Sequence, residues 1–293
     1  MKQRITEKHF LKNMNWKIKD KILKFDKPLI MGILNVTPDS FYDGGKYFEI
    51  DKAIERGIEI EKEGADIIDI GGQSTRPGSK FVSEKEEIER VLPVIEILSK
   101  ELNIPISCDT FRSKVAEKAI EKGARIINDI SAFEIDKNLL DVIKNSDCGY
   151  VLMHMKGTPE NMQINPYYED VIGEICEFFE NKLKIIEENN VDIERVVIDP
   201  GIGFGKRVCD NVEILKNIDK FKRFKRPILI GTSRKSFIGK ILNIEPEERL
   251  SPTIATNVYA FLKGANIFRV HDVKEVKKGL DIIYKIENEN IMY

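Results

Sequence analysis

The chain has 293 residues, of which 42% are apolar and 33% charged, with a formal net charge of -2 at pH 7. That length suits one large domain or two ordinary ones, with enough apolar material for a sizeable core. So even a charge balance argues against a nucleic-acid or acidic-membrane partner, and no apolar run approaches the roughly 20 residues of a membrane helix. The N-terminus carries charges throughout and no apolar signal-peptide stretch. The four cysteines, Cys108, Cys148, Cys176 and Cys209, sit far apart without a C-x-x-C pair. That spacing speaks against a disulfide framework or zinc site and for a cytoplasmic location.

In chain order, residues 15–25 alternate loosely through Trp16, Ile18, Ile22 and Phe25. They predict a short hairpin, within an N-terminal extension of residues 1–27, that covers an apolar end of the core with Trp16 as its plug. Residues 28–293 then repeat one pattern: apolar strand, polar tip, helix. The first strand, 28–34, opens into a loop crowded with Asn35, Thr37, Asp39, Ser40 and Asp43 and closed by Gly44 and Gly45. Loops of that length inside a compact chain are usually functional or disordered. A second strand, 65–70, empties into Gly71-Gly72-Gln73-Ser74-Thr75-Arg76-Pro77-Gly78. Ser83 and Glu86 have capping-box spacing, and Pro93 predicts a bend or break in the helix that follows.

Further strands are expected at 104–108, ending in Asp109-Thr110, and at 125–127, ending in Asn128-Asp129. The strand at 150–153 ends in His154, a packed histidine rather than a metal ligand, and a long helix covers 171–186. The strand at 196–198 ends in Asp199-Pro200 and the loop Gly201-Ile202-Gly203-Phe204-Gly205-Lys206. Those glycines match neither dinucleotide nor Walker spacing; they suit a backbone passing close to a ligand, with Phe204 as a flat apolar wall. The last two strands, 228–230 and 267–268, end in Thr232-Ser233-Arg234-Lys235 and Arg269-Val270-His271-Asp272, before a helix through Val273, Val276, Leu280 and Ile283.

Eight strands that are apolar without alternation imply a parallel sheet buried on both faces. Glycines 64, 123 and 264, each closing a helix before a strand, form a weak internal repeat. Eight such units in about 260 residues predict an α/β fold of the TIM (β/α)8 type, with a doubly wound sheet as the alternative. In that barrel all strand tips meet at one rim, where Asn35, Thr75, Arg76, Asp109, Asn128, Asp199, Lys235, Arg269 and His271 would converge. Such barrels often bind phosphate near their last two loops, which here hold Arg234, Lys235, Arg269 and His271. A doubly charged or pyrophosphate-like anion fits those cations.

With these motifs in place, the chain resembles the dihydropteroate synthase family over roughly residues 28–285. The segments Asn35-Val36-Thr37-Pro38-Asp39-Ser40-Phe41, Ser74-Thr75-Arg76-Pro77-Gly78 and Ser233-Arg234-Lys235-Ser236-Phe237 carry the resemblance. It implies a transferase of folate synthesis that joins 6-hydroxymethyl-7,8-dihydropterin pyrophosphate to p-aminobenzoate. The resemblance further implies Thr75, Arg76, Asp109, Asn128, Asp199, Lys235, Arg269 and His271 around the pterin pyrophosphate. Thr75, Pro77, Phe204, Ser233 and Lys235 would face p-aminobenzoate. Asn35 would offer an oxygen to Mg2+, and Asp43, Asp109 and Lys235 would act in an SN1-like substitution. Its partners would be small molecules, not nucleic acid or membrane, and the enzyme a homodimer. One departure stands out: Gln73 replaces the family's usual glutamate, keeping its size and one acceptor and dropping the charge. Two other readings share parts of the pattern, a pterin-binding methyltransferase domain of a corrinoid system and a non-catalytic pterin- or anion-binding barrel.

Overall fold

The structure, a computed structural model, describes residues 14–37, 46–73 and 81–288. It begins with an antiparallel hairpin, β1 (Asn15–Ile18) and β2 (Lys21–Lys24), in which Trp16 faces Leu23. Eight parallel strands follow: β3 (Leu29–Asn35), β4 (Ile67–Gly71), β5 (Ile106–Asp109), β6 (Ile126–Asp129), β7 (Gly149–Met153), β8 (Val196–Asp199), β9 (Leu229–Ile230) and β10 (Ile267–Val270). They pair in the order β8-β7-β6-β5-β4-β3-β10-β9, and a bridge between Ile198 and Ile228 closes the ring. This is the TIM barrel the strand pattern predicts, each strand lying within two residues of its expected bounds. A doubly wound sheet would have stayed open.

Helices alternate with the strands on the outside. They are α1 (Lys46–Lys62), α2 (Glu84–Glu101), α3 (Ser113–Glu121), α4 (Leu139–Lys144), α5 (Val171–Glu188), α6 (Val208–Lys216), α7 (Ser236–Leu242), α8 (Leu250–Lys263) and α9 (Val273–Asn288). The Ser83 hydroxyl caps α2 by accepting from the Glu86 amide at 3.1 Å. The expected break at Pro93 does not occur, because α2 stays helical through it. Val91, Val94, Ile95 and Leu98 are fully buried on both sides of the proline, and packing of that stripe outweighs the missing backbone donor. Among the described residues no helix is long and apolar enough to cross a membrane.

Strand side chains alternate between two environments, as a pleated strand requires. Ile68, Ile70, Ile127, Leu152, Ile198 and Phe268 join the large outer core with the helices. Met31, Ile67, Ile126, Val151, Val197, Leu229 and Ile267 form a second cluster with Trp16 and Ile18, inside the barrel. Trp16 is fully buried there, and its indole N–H donates to the Arg195 carbonyl at 2.8 Å. Any side chain at Gly149 would press on Ile18 and Trp16, so glycine at the start of β7 makes room for the plug. The hairpin thus seals the end of the barrel from which the strands start. The open end, where they finish, is left for chemistry.

Candidate active site

Two residues beyond the apolar plug, the same inward face turns polar. Ile67 is followed by Asp69, Ile126 by Asn128, Val197 by Asp199 and Ile267 by Arg269. Arg269 reaches across the mouth to two carboxylates: its Nε donates to Asp69 Oδ2 and a terminal nitrogen to Asp109 Oδ2, each at 2.6 Å. Asn128 donates its amide to the same Asp69 oxygen at 3.0 Å. Among the described residues the other Asp69 oxygen and the Ser107 hydroxyl are buried without a hydrogen-bond partner, side by side on paired strands.

Burial works against the charge on Arg269, but Asp69 and Asp109 more than reverse it and hold the guanidinium firmly ionised. Burial pushes the Asp109 carboxyl upward, with Arg269 pulling it back. Asp199 is raised to about 6, chiefly by burial and against the Gly201 amide, which donates to its Oδ1 at 2.7 Å. Lys235 is lowered to about 8, first by burial and then by repulsion from Arg269. Three carboxylates, one amide and two cations therefore share a water-poor pocket, where each charge acts more strongly than at a surface.

The loop after β8 walls one side. Gly201 and Gly205 have φ of +69° and +63°, and a Cβ on either would collide with the carbonyls of His154 and Lys156. Only glycine fits this left-handed path so close to the neighbouring loop. Between them Phe204 is 7% exposed, and the Lys235 ammonium sits 4.2 Å from its ring centroid. Such a cation–π contact fixes the lysine over the wall. Ser233 Oγ lies 3.0 Å from His271 Nδ1, so the tips of β9 and β10 are joined at the rim.

Sequence reasoning placed Asp109, Asn128, Asp199, Lys235, Ser233, Phe204, Arg269 and His271 at the strand tips, and they meet here. Asn35 ends β3 beside Gly71 of β4 and is half-buried. Asp43, Thr75, Arg76 and Pro77 lie outside the described residues. Gln73 is described: it is buried, and among the described residues neither end of its amide has a partner. Close by, Arg90 donates to the Gly72 carbonyl at 2.8 Å, while Arg112 binds Glu87 and the Val82 carbonyl. Arg234, open in the sequence between a solvated surface cation and an anion contact, is neither. Its guanidinium forms two bonds to Asp272, at 2.9 and 2.6 Å, from a left-handed backbone whose amide is held by Thr253. It braces the last two loops instead of facing an anion. Asp69 is the residue that strand reading missed, although an aspartate two positions past an inward isoleucine marks a polar floor.

The chain matches the family model described as pterin binding enzyme over residues 31–271. It is 46% identical over 253 residues to dihydropteroate synthase of Bacillus subtilis, covering 86% of both chains. Among solved structures it is similar to Xanthomonas albilineans dihydropteroate synthase with 4-aminobenzoic acid. There the TM-score is 0.87 and the identity 39%, over 93% of this chain and 99% of that one. The same enzyme in complex with 7,8-dihydropteroate matches with a TM-score of 0.84 and 37% identity, over 92% and 97% of the two chains.

Proposed function

We propose that this chain, which belongs to the pterin-binding enzyme family and within it to the dihydropteroate synthases, joins 6-hydroxymethyl-7,8-dihydropterin pyrophosphate to p-aminobenzoate, giving 7,8-dihydropteroate and pyrophosphate. The observation that carries this reading is the charged floor of the barrel mouth, Asp69, Asp109, Asn128 and Asp199 around Arg269. A pterin edge presents ring N–H and amino donors next to a carbonyl. Asp199 and Asp109 suit the donors, Asn128 a mixed edge, and Lys235 the carbonyl or N5. Arg269, pinned by two carboxylates, offers its flat face to the ring and its charge to the pyrophosphate. Thr75, Arg76, Pro77 and Asp43 complete the site in this reading on the strength of the family resemblance.

His271 would stand with Arg269 on the anion side, where the family resemblance also assigns Arg76, and Asn35 would offer a hard amide oxygen there. Asn35 stands half-buried at the end of β3, beside Gly71, as a single hard-oxygen donor. This suits Mg2+ held by one protein oxygen with phosphate and water as the remainder. When bound, the ion would neutralise charge on the pyrophosphate leaving group.

Neither described histidine is free to act as a base toward the amine. His154 is 6% exposed and held neutral, its Nδ1 lying 3.0 Å from Lys206 Nζ, and His271 Nδ1 meets Ser233. An aniline nitrogen is also a weak nucleophile. Both points favour a dissociative, SN1-like substitution in which the carbon–oxygen bond breaks first. Asp109 and Asp43 would stabilise the positive charge spread over the dihydropterin, with Lys235 orienting the ring. Phe204, Ser233, Thr75 and Pro77 would then present p-aminobenzoate, its carboxylate toward Lys235.

A coupling assay on the purified chain tests the reaction, and formation of dihydropteroate with equimolar pyrophosphate is expected. A non-catalytic pterin-binding barrel would bind the pterin and release nothing. Oxygen scrambling between bridging and non-bridging positions of the pyrophosphate, without p-aminobenzoate, is the sign of the dissociative route. The same resemblance supports a cytoplasmic homodimer, which light scattering checks.

A further inference from the structure

Lys206 closes the glycine loop and is 3% exposed, yet among the described residues it has no carboxylate within hydrogen-bond reach. Its ammonium is shared among three neutral acceptors: His154 Nδ1 at 3.0 Å, the Phe204 carbonyl at 3.0 Å and the His154 carbonyl at 3.3 Å. Burying a charge without a paired countercharge is costly, and the three hydrogen bonds offset only part of that cost. Around the ammonium the same knot continues. The His154 amide donates to the Asp199 carbonyl at 2.9 Å, and Gly201 donates to the Asp199 side chain at 2.7 Å. Gly203 donates to Asn211 at 2.7 Å, while Gln163 donates to the Gly203 carbonyl at 2.8 Å. Lys206 therefore ties the tip of β7 to the loop that carries Phe204 and that anchors Asp199.

We propose that Lys206 is a positioning residue for both substrates: its buried cation sets the path of the glycine loop, and through that loop and its charge it holds Phe204 against the aminobenzoate and Asp199 in its acceptor form against the pterin. The inference rests on the role given to Asp199 above. Four other titratable groups act on the ammonium besides His154: Asp199 from β8, Asp210 from α6, Lys235 from the tip of β9 and Lys156 after β7. Burial is the largest influence and lowers Lys206 to about 7, and in return Lys206 favours the ionised form of Asp199. His154 is held neutral first by its own burial and then by the two lysines, so its Nδ1 serves as the acceptor and its Nε2 carries the proton.

The test measures pterin binding and steady-state kinetics from pH 5 to 9 in Lys206→Met and Lys206→Gln. Loss of the cation should move the acid limb of pterin binding upward by about half a unit to one unit in both variants. Lys206→Met, which has no donor, should also raise KM for p-aminobenzoate by about tenfold, and Lys206→Gln should recover much of that loss. A purely structural lysine would lower the melting temperature and leave the acid limb where it was. A wild-type acid limb in the folded Lys206→Gln variant therefore overturns the inference, even if Lys206→Met does not fold. Asp199→Asn separates the two layers of the argument. If it loses pterin while the Lys206 variants keep the wild-type limb, only the Lys206 inference falls. If it binds pterin normally, the role of Asp199 falls and the Lys206 inference with it.

Discussion

The two halves of the barrel interior are built from the same strands and differ by one inward step. On β6, Ile126 belongs to the apolar plug and Asn128 to the polar floor; on β10, Ile267 and Arg269 divide in the same way. The lower half is an apolar cluster closed by the hairpin through Trp16, whose indole N–H bonds to the Arg195 carbonyl. The upper half carries three buried carboxylates, two of them bound to one arginine. In a parallel barrel the strand starts serve stability and the strand ends carry the site. The other end is then able to carry charges whose burial does not stabilise the fold.

That contrast breaks or sharpens under substitution. The largest effect is expected for Arg269→Ala, which strands Asp69 and Asp109 as unpaired buried charges. Removing one partner of such a network costs about 3–5 kcal/mol of stability. Affinity for the pterin pyrophosphate should fall by a further 2–4 kcal/mol, roughly, because a charge-assisted contact in a dry site is lost. Denaturant titration and calorimetry read the two losses separately. Trp16→Ala should cost a comparable 3–5 kcal/mol, roughly, in unfolding. Its folded fraction, however, should bind pterin as the parent does. A melt that drops with unchanged pterin affinity confirms the division of labour; a matching loss of affinity blurs it.

Protonation gives a smaller, pH-dependent version of the same test. Asp199 has a folded pKa of about 6, raised from 3.8 by burial. Between those values the folded state keeps a proton that the unfolded state has released, so stability falls as pH rises through the window. The full penalty, about 2–3 kcal/mol, is present above pH 6. Unliganded Asp199→Asn should therefore be more stable than the parent at pH 8 and lose that advantage by pH 4. Pterin binding needs the ionised acceptor, so affinity in the parent should weaken below pH 6. The smallest effect is a pair on one strand: Ile126→Val should cost about 1 kcal/mol of stability and nothing in binding. Asn128→Ala, two residues on, should weaken pterin binding through the lost amide and its bond to Asp69.

The strands, their tips and the sealing hairpin are legible in the sequence because a parallel strand buried on both faces is a continuous apolar run, and its end is where the run stops. Asp109, Asn128, Asp199, Lys235 and Arg269 follow from that rule alone. Asp69 hides inside such a run, one acid among Ile67, Ile68 and Ile70, and only the two-residue period betrays it. The partners of Arg269 are 160 and 200 residues away in the chain, beyond any local pattern. Arg234 misleads for the opposite reason: it stands next to Lys235 in a cationic tip, but its left-handed backbone and Asp272 turn it to bracing. Pro93 in α2 shows packing overriding a local rule.

The most direct test of the division between a sealing half and a recognising half is calorimetric titration of the pterin pyrophosphate into Asp199→Asn and Trp16→Ala at pH 8, beside the parent. Asp199→Asn should fold normally and lose affinity by about 30-fold or more, because an amide presents a donor where ring donors need an acceptor. Trp16→Ala should bind within about threefold of the parent, its deficit confined to stability. Parent-like affinity in Asp199→Asn would contradict the assignment of the polar floor to pterin recognition.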